Sequence, residues 1–106
     1  MSGQQLLAEK RVEIAGFCRR WQVSELAVFG SVLSEDFGEG SDVDVLVTFA
    51  PEVQVSLFDL VHMKEELEGM LGRGVDLVER AAIEQSENYL RRKSILSTAE
   101  PVYVAS

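Results

Sequence analysis

The chain of 106 residues is poor in the residues that most often announce chemistry: it has one cysteine, one histidine, one tryptophan and two prolines. With Cys18 alone, no disulfide can close within the chain, which fits a reducing compartment. Cys18 falls in an apolar helical pattern and reads as a core residue. The lone His62 leaves no partner for a histidine metal pair or a catalytic relay, and beside Met63 it reads as surface or partner-facing. Long hydrophobic runs are missing as well. Nothing approaches the ~20 apolar residues that cross a bilayer, so no membrane association is expected. The start Met1-Ser-Gly-Gln-Gln lacks the basic and apolar regions of a secretory signal, which points to a cytoplasmic protein. Positive charge is scarce: ten Lys and Arg stand against eighteen Asp and Glu, a net −8. That balance argues against a nucleic-acid substrate held along its backbone. Acid excess fits a divalent metal, a basic partner protein, or plain solubility.

What is present is ordinary for a globular chain, with 46% hydrophobic and 26% charged residues. The length suits one domain over residues 1–106, with no repeat or linker to divide it. Residues 4–21 read as an amphipathic helix, with Leu7, Ile14, Phe17, Cys18 and Trp21 at helical spacings. Glu25 to Phe29 is a short buried strand that stops at Gly30. Residues 32–41 have loop chemistry, with room for one helical turn first. Val43 to Phe49 is a strand that Pro51 ends. Ser56 caps a second helix whose inner stripe is Leu57, Leu60, Val61, Leu67 and Leu71. Gly72 and Gly74 stop it, Val75 to Glu79 is a third strand, a helix occupies about 83–97, and Val102 to Val104 forms a brief last strand. The order α-β-β-α-β-α-β predicts an α/β (α+β) domain: a short mixed sheet of three or four strands, helices packed mainly on one face.

The informative stretch is Gly30-Ser31, ten residues, then Asp42-Val43-Asp44. Two aspartates two apart at a strand start project from the same face. Their charges repel unless a cation lies between them, and a hard ion such as Mg²⁺ resolves that repulsion. Gly30-Ser31 follows a strand and offers backbone N–H groups and a hydroxyl to a phosphate. If the first two strands pair, the phosphate cradle and the carboxylates meet at one edge. Asp76 sits inside an apolar strand, where an acid is costly to bury unless paired or bound to metal. Alternation puts Asp76 with Val78 on one face and Val75 with Leu77 on the other. Next to the second strand, Asp76 would complete a three-carboxylate site able to hold two Mg²⁺ ions and a nucleotide.

The pattern Gly30-Ser31-x10-Asp42-x-Asp44, followed by Val75-Asp76-Leu77, resembles the DNA polymerase β-like nucleotidyltransferases. It is most similar to their minimal form, the MNT domain that acts as antitoxin to HEPN-domain toxins, and the similarity runs through most of the chain. The resemblance implies the polymerase β-like fold and two-metal transfer of a nucleoside monophosphate from a triphosphate such as ATP. By position it makes Asp42, Asp44 and Asp76 the catalytic metal ligands, Gly30 and Ser31 the nucleotide-binding pair, and Asp76 an aid to deprotonation. For the antitoxin branch it implies adenylylation of a tyrosine on a HEPN ribonuclease partner. Many relatives carry arginine soon after the Gly-Ser pair; here Val32, Leu33, Ser34 and Glu35 follow, leaving Lys64 or Arg73 to compensate in the fold. The contrasting expectation is a catalytically idle module that masks a toxin by contact alone.

Blander readings accompany each feature. Asp42 and Asp44 taken alone would be solvated loop acids, and Asp76 an edge-strand charge against aggregation. Gly38-x-Gly40-x-Asp42 mimics one turn of a calcium-binding β-roll, which needs stacked copies that are absent. Tyr89 and Tyr103 read as core or rim residues. The run Tyr89-Leu-Arg-Arg-Lys93 is a basic patch, either a solvated helix face or a contact for an acidic partner or phosphates. Glu65, Glu66 and Glu68 form a solvated helix face.

Overall fold

In the computed structural model, which describes residues 2–106, four strands form one mixed sheet in the order β3-β2-β1-β4. They are β1 (Val23–Phe29), β2 (Val43–Phe49), β3 (Val75–Glu79) and β4 (Glu100–Val104). Strand β1 pairs antiparallel with β2 and β4, while β2 and β3 run parallel. Met1, the first residue of the segment read for a signal, lies outside the described residues. No described helix is long and apolar enough to cross a membrane.

Val43, Val45 and Val47 alternate with Asp44, Leu46 and Thr48, so β2 buries its valines on one face. That face holds the larger core, where Phe17, Cys18, Leu26, Val28, Met63, Leu67 and Val75 meet the valines. The other face carries a smaller cluster of Ala27, Phe29, Leu46, Ile83 and Ile95. Helices α2 (Arg11–Arg20) and α3 (Leu57–Leu71) cover the first face; α4 (Arg80–Glu84) and α5 (Tyr89–Thr98) contribute to the second. The mixed sheet with most helical mass on one side is as the sequence led one to expect, with the added detail of a thinner second layer.

Several element boundaries differ from expectation, and β1 begins at Val23 rather than Glu25. The single helix over 4–21 is two, α1 (Gly3–Glu9) and α2, broken at Lys10. The break lets α1 lean on the turn after β1, where a Cβ on Gly3 would strike the Val32 carbonyl, while α2 packs on β1 and β4. The helix over 83–97 is likewise split, and α5 begins afresh at Asn88, whose side chain accepts from the Arg91 N–H at 3.1 Å. In α3 the buried positions are Met63, Leu67 and Leu71, with Leu60 and Met70 partly so. Leu57 is 75% exposed and Val61 45%, because they run down the neighbouring flank with Lys64 and Glu68 at spacings of four and three. Strand β4 starts earlier than expected and contains Pro101, tolerated in an edge strand because its missing N–H breaks no central ladder.

Candidate active site

One end of the sheet gathers the end of β1 and the starts of β2 and β3. The chain leaves β1 at Phe29 and turns at Gly30, whose φ of +75° lies where a Cβ is disfavoured. A 3₁₀ turn, Gly30–Leu33, follows, as the short helical turn anticipated there. The Ser31 hydroxyl donates to the Asp42 carbonyl at 3.4 Å, tying the turn to the start of β2. The loop between them is held by Arg73, whose guanidinium stacks 4.4 Å above the Phe37 ring and donates to the Gly38 and Ser41 carbonyls.

The register then decides where the acids lie. Asp44 stands opposite Phe29 on one side and beside Asp76 on the other. Because paired positions of adjacent strands share a face, both carboxylates project from the face that carries Leu46 and Val78. Asp42 precedes β2 at the same end. A Cβ on Gly30 would fall on the Asp44 carboxylate, and one on Gly74 would fall on that of Asp42. Each glycine thus leaves a hollow for one acid of the pair. Asp42 and Asp76 are exposed, and Asp44 is half-buried. The Asp44 carboxyl is held above the usual carboxylate range by burial first, then by the charges of Asp76 and Asp42, with Arg91 opposing.

Two cations lie within electrostatic reach of these acids. Lys64 donates to Glu68 at 2.9 Å, and Glu68 also accepts the Val75 N–H at 3.0 Å, so the ammonium is moored next to Asp76. Its proton is held more firmly than usual by that hydrogen bond, with the charges of Glu68, Asp42 and Asp76 adding. Arg91, on α5, is the second. Of the two cations the sequence offered as compensation, Lys64 is near the acids, while Arg73 is occupied by the loop carbonyls and Phe37.

The structure brings together all five residues singled out from the sequence: Gly30 and Ser31 at the corner, Asp42, Asp44 and Asp76 along the strand starts. Reading the sequence missed Gly74 and Glu68 as parts of the site. It holds Arg91 only within the basic patch Tyr89–Lys93, one reading of which is contact with phosphates. The sharper signal is that Arg91 lies four residues before Ile95 and so shares that helix face. His62 is exposed, as expected. Cys18 is buried, also as expected, and burial pushes its thiol up to about 12.

As a metal site the donor set consists of carboxylate oxygens, which suits a hard divalent ion. The mutual repulsion felt at Asp44 is what such an ion relieves. Among the described residues no three Asp, Glu, His or Cys side chains are already drawn into one ligand sphere. The Asp42 and Asp44 carboxylates lean toward different glycines, and converging on an ion requires them to rotate. The donors fit the ion in kind, and the strand register sets them at one end of the sheet.

Residues 13–100 match the family model described as a nucleotidyltransferase domain. A protein adenylyltransferase MntA of Thermococcus cleftensis is 42% identical over 64 residues, covering 60% of this chain and 63% of the relative. The chain thus spans about three-fifths of the length of the curated relatives it matches. A solved structure described as a candidate minimal nucleotidyltransferase has a TM-score of 0.72 at 33% identity, covering 95% of this chain and 96% of its own. The fold also matches a chain in the complex of a tri-AMPylated Shewanella oneidensis HEPN toxin with its MNT antitoxin, at TM-score 0.63 and 15% identity, covering 93% of this chain and 73% of that one.

Proposed function

This chain belongs to the nucleotidyltransferase domain family, and from that premise we propose that it transfers AMP from ATP, with Mg²⁺, to a tyrosine hydroxyl of a cognate HEPN ribonuclease toxin, serving as its antitoxin. The observation that carries this reading is the in-register pairing of Asp44 with Asp76 beside the Gly30–Ser31 corner. The curated relative's name and the AMPylated toxin complex supply the acceptor class.

In the proposed reaction the acceptor oxygen bonds to the α-phosphorus as the bond to the pyrophosphate oxygen breaks. Asp42, Asp44 and Asp76 would hold divalent ions, which supply charge neutralisation at the phosphates and lower the proton affinity of the attacking oxygen. The Gly30 and Ser31 corner receives the polyphosphate, since glycine lets it approach the backbone and the serine hydroxyl can turn from its long 3.4 Å bond to the Asp42 carbonyl and donate to a phosphate oxygen instead. The Asp76 carboxylate, exposed on β3, takes up the hydroxyl proton. Asp42 and Asp76 open directly to the surface, which suits an acceptor presented by another protein.

Incubating the chain with labelled ATP, Mg²⁺ and its co-purified HEPN partner tests this. Label on a partner tyrosine is the expected result, and Asp42→Asn combined with Asp44→Asn removes it. Protection of cells by the double variant at the parental level, with no label transferred, would instead mean neutralisation by contact alone.

A further inference from the structure

The corner after β1 carries no positive side chain in its next four positions, Val32 to Glu35, yet a triphosphate brings roughly four negative charges to a site that already holds three acids. Divalent ions held by the acids offset part of this charge, and a side-chain cation elsewhere can meet the rest. Most described cations are engaged: Arg20 with Glu66, Lys10 with Glu13, Arg80 with Glu25 and Glu84, Lys64 with Glu68. Arg92 donates to the Ser86 carbonyl, and Arg73 holds the 38–41 loop. The Arg91 guanidinium has no ion pair or side-chain hydrogen bond among the described residues, and the residue is exposed.

Its place in the fold is specific. One helical turn further along the same face of α5, Ile95 is 5% exposed and packs with Phe29 and Leu46. Phe29 is the strand partner of Asp44, and Leu46 lies two residues beyond it on the same face. Arg91 therefore lies over the face from which Asp44 and Asp76 project, whereas Lys64 comes from the helix layer on the opposite face.

We propose that Arg91 is a phosphate-contacting residue of the site, its unpaired guanidinium on α5 closing over the polyphosphate of the bound nucleotide from the face carrying Asp44 and Asp76. Rigid guanidinium donors match phosphate oxygens in pairs, which makes arginine better suited to the task than the moored Lys64. The inference rests on the nucleotidyltransferase reading and names the residue that replaces the missing arginine after the Gly-Ser corner.

Calorimetric titration with ATP in the presence of Mg²⁺ tests it on the full chain. Arg91→Gln is expected to weaken ATP binding about tenfold or more. Arg91→Lys should recover part of that loss, and Lys93→Gln, two residues on, should stay within about twofold of the parent. The salt dependence of ATP affinity should also become shallower in Arg91→Gln, a change that a merely structural residue would not produce. ATP binding by Arg91→Gln as tight as the parent's overturns the inference and leaves the family reading standing. Failure of the parent itself to bind ATP with Mg²⁺ overturns both.

Discussion

Gly30 and Gly72 share a left-handed backbone, with φ of +75° and +67°, but their surroundings separate what each does. Nothing lies within 4 Å of a Cβ built on Gly72, which closes α3, whereas at Gly30 the Asp44 carboxylate occupies that space. Gly72→Ala is therefore expected to cost about 1 kcal/mol of stability in urea unfolding and to leave ATP affinity alone. Gly30→Ala should cost a similar amount and in addition abolish ATP binding, because Asp44 must swing away. Equal nucleotide binding by the two variants would contradict this. At Cys18 the buried thiol is pushed from its ordinary 9.0 to about 12. The unfolded chain then releases the thiol proton first, so Cys18 leaves stability unchanged below pH 9 and lowers it above. A thiol reagent at pH 8 should leave the folded chain unmodified and label it fully in denaturant. The Asp-x-Asp pair, its distance from Gly30-Ser31 and the parity of Asp76 were legible in the sequence because strand alternation is a local rule. Gly74 was not: nothing along the chain says that the Asp42 side chain lies over it.

At the scale of elements, the strands were readable from their β-branched runs, and α3 from Ser56 and the glycines that end it. The two helix breaks were not, since neither Lys10 nor residues 85–88 include glycine or proline; α1 stops because its packing target is the turn after β1, which only the tertiary fold brings near. The phase of α3 misled for a related reason. Leu57 and Val61 are as apolar as the residues beside them, and only the position of the sheet selects Met63 in their place. The loop before β2 depends on Arg73. Arg73→Ala is expected to speed amide exchange over residues 38–42 by about tenfold while β1 and β2 keep their protection, because the cation–π contact and the carbonyl hydrogen bonds act on the loop alone. Uniform acceleration across the sheet would show that Arg73 supports the whole fold.

For the molecule as a whole, a net charge of −8 meets an acid cluster at one end of its sheet. Mg²⁺ with ATP at about one hundred times the dissociation constant should add about 2.7 kcal/mol by linkage, which in a chain of this size raises the melting temperature by on the order of 10 °C. Asp42→Asn with Asp44→Asn should show no such rise. A parent chain whose melting point stays put under those conditions has no competent site.

The parallel match of Val43 with Val75 and of Asp44 with Asp76 also bears on which changes of length the gene can carry. Side chains along β3 alternate strictly, so a single-codon deletion in the 72–74 turn that the strand absorbs would send the 76 carboxylate inward, against Val43, Val45 and Met63, and turn Leu77 outward in its place. Loss of two codons would keep the alternation. Natural variation in that turn should therefore come in even steps, or be taken up entirely within the turn itself.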